Sequence, residues 1–323
     1  MTWLITGGAG YIGAHVVRSM RQAAVPVVVI DDLSTGSADR VGDTPLVVGS
    51  LLDTSLLEQT FTRYGVRGVV HIAAKKQVGE SVADPLLYYR ENVNGLISLL
   101  QACRDRQVDR LVFSSSAATY GLPDVELVTE DLRGLPLSPY GESKLIGEWL
   151  LRDCETAFGL RSVALRYFNV AGAAAPSLAD PGVFNLIPMV FASLTRGERP
   201  VVFGDDYPTA DGTCVRDYVH VVDIADAHVA AARALDAGAA SATYNIGRGV
   251  GSSVLDVLEV VAEVTGRDVS HDVAGRRPGD PARVVAAVDR IRADLGITAQ
   301  RDLREMVASA WQGWTPRQAA TAG

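Results

Sequence analysis

The segment that most constrains this chain is Trp3-Leu4-Ile5, followed by Thr6-Gly7-Gly8-Ala9-Gly10-Tyr11-Ile12-Gly13 and a helix-like stretch over residues 14–23. A short apolar run, a glycine turn and a helical run make a strand–turn–helix unit. Glycines at these spacings allow a tight turn, close backbone approach to a pyrophosphate and close packing of the helix on the strand. A second strand, Val27-Val28-Val29-Ile30, ends in Asp31-Asp32. An acidic residue there accepts the adenosine ribose hydroxyls and repels a 2′-phosphate, which predicts NAD rather than NADP. Asp32 taken alone reads better as a solvated turn carboxylate.

The alternation continues. Strands are expected at residues 46–48, 68–72, 111–113 and 162–165, and helices at 56–64, 85–106 and from about 139. Strands alternating with helices specify an α/β fold with a doubly wound, parallel sheet of the Rossmann type, whose ligands sit beyond the carboxyl ends of the strands. Gly7, Asp31, Ala73, Ser116 and Phe168 lie just past those ends, while His71 lies inside a strand and reads as a packed core residue. Beyond residue 170 the turns become rich in Gly, Pro and Asp, which predicts a smaller mixed α/β domain for the substrate. The expected division is 1–170 for the cofactor, with about 217–247 returning to it, and 171–323 mainly for the substrate. The tail after Pro316 is expected to be disordered.

Composition narrows the class. A formal charge of −8 argues against nucleic acid or an anionic membrane as the main partner. The three cysteines, Cys103, Cys154 and Cys214, are scattered and have no metal-like spacing, so a reduced, cytoplasmic protein without a metal site is expected. No apolar run approaches the ~18 residues of a membrane span, and no signal peptide is expected.

Chemistry enters at Ser138-Pro139-Tyr140-Gly141-Glu142-Ser143-Lys144. With Pro139 at a helix start, Tyr140 and Lys144 fall one turn apart on the same face. A lysine there favours the phenolate, so Tyr140 can serve as a general base below its usual pKa of ~10. The chain holds 10 Tyr but only three Lys, so chance placement predicts roughly 0.1 such pairs. In the second half, Asn169, Asn185, Arg216, Arg276 and Arg277 are polar candidates, and two arginines from distant positions can clamp a diphosphate.

Taken together, these segments resemble the extended short-chain dehydrogenase/reductase family and, within it, the UDP-glucose (UDP-galactose) 4-epimerases. The resemblance runs from about residue 2 to 314. It is carried by the glycine turn, by His71-Ile72-Ala73-Ala74-Lys75-Lys76-Gln77, by Ser114-Ser115-Ser116, by the Tyr140–Lys144 segment and by Arg166-Tyr167-Phe168-Asn169. Its most specific marks are Val215-Arg216-Asp217-Tyr218-Val219-His220 and Arg276-Arg277-Pro278-Gly279-Asp280. The resemblance implies that Tyr140 is the base, that Lys144 tunes it and holds the nicotinamide ribose, and that Ser116 hydrogen-bonds the sugar's 4-oxygen. It implies that Gly7, Gly10, Tyr11, Ile12, Gly13, Asp31, Asp32, Ala73, Lys76 and Phe168 line NAD. Asn169, Asn185, Leu186, Phe203, Arg216, Arg277 and Asp280 would hold the UDP moiety of a UDP-sugar. A homodimer through helices 85–106 and 140–157 is implied as well. So is a gate beside the sugar's C2 substituent, falling on Val284. Two positions depart from the pattern: Ser50 stands where an adenine-binding carboxylate is usual, and Glu91 where an asparagine is.

The activity so implied is reversible 4-epimerisation of UDP-galactose and UDP-glucose through a 4-keto intermediate. Alternatives are epimerases of UDP-N-acetylhexosamine or UDP-glucuronate, or a net oxidoreductase. Dehydratases and decarboxylases on this scaffold carry an acid shortly after the catalytic Ser/Thr, where this chain has Ala117-Ala118-Thr119. A non-catalytic NAD sensor typically loses the Tyr/Lys pair that is present here.

Overall fold

The computed structural model describes residues 2–277 and 279–321, with side chains as far as residue 314. In chain order the first half runs β1 (Thr2–Thr6), α1 (Tyr11–Gln22), β2 (Val27–Asp31), β3 (Leu46–Val48), α2 (Thr54–Tyr64), β4 (Val66–His71), α3 (Val78–Ala83), α4 (Pro85–Tyr88), α5 (Gly95–Asp105), β5 (Arg110–Ser116), α6 (Pro139–Phe158) and β6 (Arg161–Tyr167). The second half runs β7 (Asn169–Ala171), α7 (Leu186–Arg196), β8 (Val201–Phe203), β9 (Val215–His220), α8 (Val221–Asp236), β10 (Ala242–Ile246), β11 (Gly251–Ser253), α9 (Val254–Thr265), β12 (Asp272–Ala274), β13 (Arg283–Val284), α10 (Asp289–Leu295) and α11 (Leu303–Thr321). The tail after Pro316, expected to be disordered, has its backbone described in α11 as far as Thr321, while residues 322 and 323 lie outside the described residues.

Among the described residues, seven strands form a sheet in the order β10-β6-β5-β4-β1-β2-β3, and every neighbouring pair is parallel. The chain reverses direction across the sheet between β1 and β4, the position at which open α/β sheets place their ligands. The period-2 alternation of the strands feeds two apolar layers. Trp3, Ile5, Val27 and Val29 face α1 and α8, while Leu4, Val28 and Ile30 face α2, α5 and α6. A third cluster joins α7, α9 and α11 around Phe191, Val261 and Met306. Above the sheet, β9 pairs with β7, β11 and β13, and β8 pairs with β12.

The helix expected over residues 85–106 is interrupted. A π-turn occupies Tyr89–Asn94 between α4 and α5. Such single-turn bulges redirect side chains that a regular helix would point elsewhere.

Candidate active site

The site is a cleft of about 280 Å³ at the carboxyl ends of β1, β2 and β4. The glycine turn shapes its floor. Gly7 has φ +71, and a Cβ there would stand 2.7 Å from the Ala73 amide nitrogen; a Cβ on Gly13 would stand 2.0 Å from the Gly7 carbonyl oxygen. Helix α1 starts at Gly10 without a side-chain cap, so its first N–H groups are available to an anion. Asp31, at the end of β2, accepts from the Ala9 and Leu33 amides, both at 2.9 Å. Burial raises its pKa, and these two hydrogen bonds oppose the rise. A cradle with no room for side chains, an uncapped helix start and a fixed carboxylate fit a dinucleotide with free ribose hydroxyls.

Gly7, Gly10, Tyr11, Ile12, Gly13, Asp31, Asp32, Ala73, Lys76, Tyr140 and Lys144 all line this one cleft. Phe168 does not stand on its described wall: its ring packs on Tyr120 at 6.5 Å, and the neighbouring Tyr167 lines the cleft instead. Successive residues at a strand end point to opposite sides. Sequence reasoning missed Ser34, Thr35 and Leu52, the residues Glu80 and Gln77, and the segment Asp180, Pro181, Gly182 and Phe184, which also line it. Ser50 and Glu91, the two departures, lie on the same wall system. Of the missed residues, Gln77 stands in a segment that carries the resemblance and the Asp-Pro-Gly turn carries a turn signal.

At the catalytic end, Ser138 caps α6 by accepting from the Gly141 amide, with Pro139 in the first turn. This sets Tyr140 and Lys144 one turn apart. The Lys144 ammonium donates to the Ser114 carbonyl at 2.8 Å and lies 5.2 Å from the Phe113 ring centroid and 6.0 Å from that of Tyr140. Burial lowers its pKa to about 8. Burial also raises the pKa of Tyr140, opposed by a hydrogen bond with Ser116. The expected depression of the phenol by Lys144 is therefore corrected for the protein alone. Desolvation disfavours both charged forms, and the ammonium is directed at a carbonyl rather than at the phenol.

Surrounding residues fix this corner. The Tyr88 ring meets Tyr140 edge-on at 6.5 Å, while its hydroxyl donates to Glu80 at 2.8 Å and accepts from the Gln77 amide at 2.7 Å. The π-turn places Asn92 so that it accepts from the Lys75 amide and donates to the Lys75 carbonyl and to Ser143 Oγ. Behind Ser116, the half-buried Glu148 receives Ser115 Oγ at 2.5 Å and both Arg166 Nε at 2.8 Å and Nη2 at 2.5 Å. His71 is packed as expected: it pairs with Thr6 Oγ1 at 2.8 Å, stacks on Phe113, and is held neutral by burial, its pKa lowered to about 3.

The second group of candidates gathers on neighbouring strands. Pairing of β12 with β8 and of β13 with β9 draws the segment between β12 and β13 across Phe203 and Arg216. Arg216 Nη2 lies 3.6 Å from Asp280, and its Nη1 donates to the Val215 carbonyl. The Arg277 guanidinium stands 3.8 Å from the Phe203 ring centroid. Arg276 pairs with Asp206 at 2.6 Å and covers Tyr207 at 4.2 Å. Asn185 precedes α7 without a capping hydrogen bond, its amide donating to Asp180 at 3.4 Å, and Leu186 follows as the first residue of that helix. Asn169 is exposed at the start of β7. Val284 pairs in register with Arg216 and packs with Tyr120 and Phe168.

Comparison with known proteins bears on the same arrangement. Residues 3–247 match the NAD dependent epimerase/dehydratase family. The chain is 45% identical over 317 residues to a UDP-glucose 4-epimerase of Azospirillum brasilense, covering 96% of this chain and 91% of that one. It is 43% identical over 315 residues to one of Corynebacterium glutamicum, covering 96% and 95%. Among solved structures, UDP-glucose 4-epimerase from Brucella ovis in complex with NAD superposes with a TM-score of 0.93 at 39% identity, covering 97% and 98% of the two chains. The Bifidobacterium longum enzyme in complex with NAD+ and UDP gives 0.90 at 36% identity, covering 98% and 99%.

Proposed function

The chain belongs to the NAD dependent epimerase/dehydratase family, and from that premise we propose that it is an NAD-dependent isomerase interconverting UDP-galactose and UDP-glucose at C4. One observation carries the reading. The Tyr140 phenol, with Ser116 beside it and Lys144 one helical turn on, lines a cleft built for a dinucleotide. The turn Ala117–Tyr120 that follows Ser116 supplies no carboxylate, which speaks against a dehydratase.

NAD+, held by the glycine turn, Asp31 and Lys144, would supply a hydride acceptor and donor for the sugar's C4. Tyr140 removes the 4-hydroxyl proton as the C4 hydrogen departs with its electron pair, leaving a ketone at C4. Ser116 holds the 4-oxygen throughout. The sugar then turns over, the hydrogen returns with its electron pair to the opposite face of C4, and Tyr140 gives the proton back to the 4-oxygen. No net oxidation occurs, so the cofactor emerges unchanged. Lys144, anchored on the Ser114 carbonyl, holds the nicotinamide ribose. Binding energy remote from C4 must retain the keto sugar while it rotates. Arg216 and Arg277 are assigned to the diphosphate; Asn169, Asn185, Leu186, Phe203 and Asp280 complete the nucleotide grip.

We further assign residues 1–170 with about 217–247 to the cofactor-binding domain and the remainder mainly to the nucleotide sugar. A homodimer through α5 and α6 is supported by Trp149, 48% exposed on α6. A cytoplasmic location is supported by three free thiols; no helix among the described residues is long and apolar enough to cross a membrane. The decisive assay supplies UDP-galactose without added NAD and measures UDP-glucose. Absence of product from protein that carries NAD overturns the reading.

A further inference from the structure

Residues 172–185 connect β7 to α7, and the cleft-lining Asp180, Pro181 and Gly182 belong to this connection. Its start is fixed to α1 and α11. The Tyr11 hydroxyl donates to the Gly172 carbonyl at 2.5 Å, the Ala174 amide donates to His15 Nε2 at 3.0 Å, and the Ala173 amide donates to Ser309 Oγ at 3.1 Å. Its middle is fixed from the opposite wall. Arg40, in the short turn Ala38–Val41 just after Ser34 and Thr35 of the ribose side, donates to the Leu178 carbonyl at 2.8 Å and to the Ala179 carbonyl at 3.2 and 3.3 Å. The next residue, Asp180, reaches Lys76 at 4.0 Å. The chain is thus tied down immediately before the three residues that close over the cleft.

We propose that residues 172–185 are a strap that retains the dinucleotide, and that Arg40 is the positioning residue that holds it. The inference rests on the NAD reading above. A planar guanidinium can serve two successive carbonyls at once, and its hydrogen bonds are charge-assisted. A lysine offers a single compact charge there and can hold one carbonyl well. Arg40 touches neither the reacting carbon nor the phenol. Its effect falls on how long the cofactor stays and leaves the chemistry of C4 to other residues.

The test is exchange of bound NAD for isotope-labelled NAD, followed by mass spectrometry of cofactor released on denaturation. Wild type, Arg40→Met and Arg40→Lys are compared as purified holoproteins. Arg40→Met is expected to exchange about tenfold faster, equivalent to about 1.4 kcal/mol, with Arg40→Lys in between. Melting temperatures measured in excess NAD separate release from general loosening: the strap predicts a change in exchange far out of proportion to any change in melting. Wild-type exchange rates in both variants overturn the proposal. So does faster exchange that merely tracks a matching fall in melting temperature. A wild-type protein that purifies without nicotinamide dinucleotide overturns the functional reading and the strap together. One that holds it while the variants exchange at the wild-type rate overturns the strap alone.

Discussion

At the cofactor end of the site, Asp31 is 8% exposed and both of its oxygens accept backbone amides. At the nucleotide end, Arg276 and Arg277 are exposed and rest on Asp206, Tyr207 and Phe203, while Arg216 leans on Asp280. The first end is made of main chain and short side chains with nowhere to go. The second is made of long side chains held by partners they can exchange for a phosphate. A ligand meets a finished surface at one end and completes an unfinished one at the other. The contrast lies in the kind of residue used at each end, without any difference in fold.

The largest expected effect falls on the frame that carries both ends. His15, His71, His220 and His228 are buried, and burial lowers their pKa values to about 4, 3, 4 and 4. They stay neutral in the folded protein, whereas an unfolded histidine takes a proton near pH ~6.5. Stability is therefore fully present above that pH and falls as pH drops through the window from 6.5 towards 4, by up to about 1.4 kcal/mol per pH unit for each histidine. Asp217, raised by burial to about 6, acts in the opposite direction below that pH and offsets one of the four. Thermal melting across pH 7.5 to 4.5 should decline steeply; a flat profile contradicts the neutral, buried assignment.

Next in size, Tyr140→Phe should keep NAD and fold while losing at least ~10²-fold in turnover. Turnover near that of the wild type would remove Tyr140 from the base role. At the adaptable end, Arg216→Ala and Arg277→Ala should each weaken UDP binding by roughly 1.5–3 kcal/mol, the range for hydrogen bonds to charged groups, while leaving bound NAD in place. Calorimetry checks this, and unchanged affinity in both variants would show that these arginines keep their resting partners. The smallest effect concerns sugar choice. Val284 lacks the bulk of an aromatic ring, so UDP-N-acetylglucosamine should be turned over as a secondary substrate. Val284→Tyr should remove that activity and spare UDP-galactose, an effect of about 1–3 kcal/mol for a group fitted into a pocket. Absence of N-acetylglucosamine turnover in the wild type closes the gate reading.

Local chemistry made much of this legible. The glycine turn, the carboxylate ending β2 and the Tyr140–Lys144 pair are short-range patterns whose geometry is set within a few residues. What escaped depends on distance or environment. Arg40 meets Leu178 across 138 positions, and no periodicity records that. The π-turn over Tyr89–Asn94 uses residues equally content in an α-helix, so its presence reflects tertiary packing of Asn92. Phe168 and Tyr167 sit on adjacent positions at a strand end, where one residue of error reverses the face. The direction of the Tyr140 shift follows from burial, which depends on elements far from it in the chain. Expecting one helix over 85–106 failed for the same reason.

Strand β9 carries Arg216 and Asp217 side by side. Arg216 addresses Asp280, and Asp217 accepts the amides of Arg248, Gly249 and Ala286. Alternation along the strand therefore turns one residue towards Asp280 while its neighbour binds two distant loops to the frame. Length, more than composition, is what this strand has to conserve. Inserting or deleting a single residue just ahead of Arg216 would turn the arginine inward and the carboxylate outward at one stroke. Substitutions here can be graded in their damage, whereas a frame-preserving indel has no mild version.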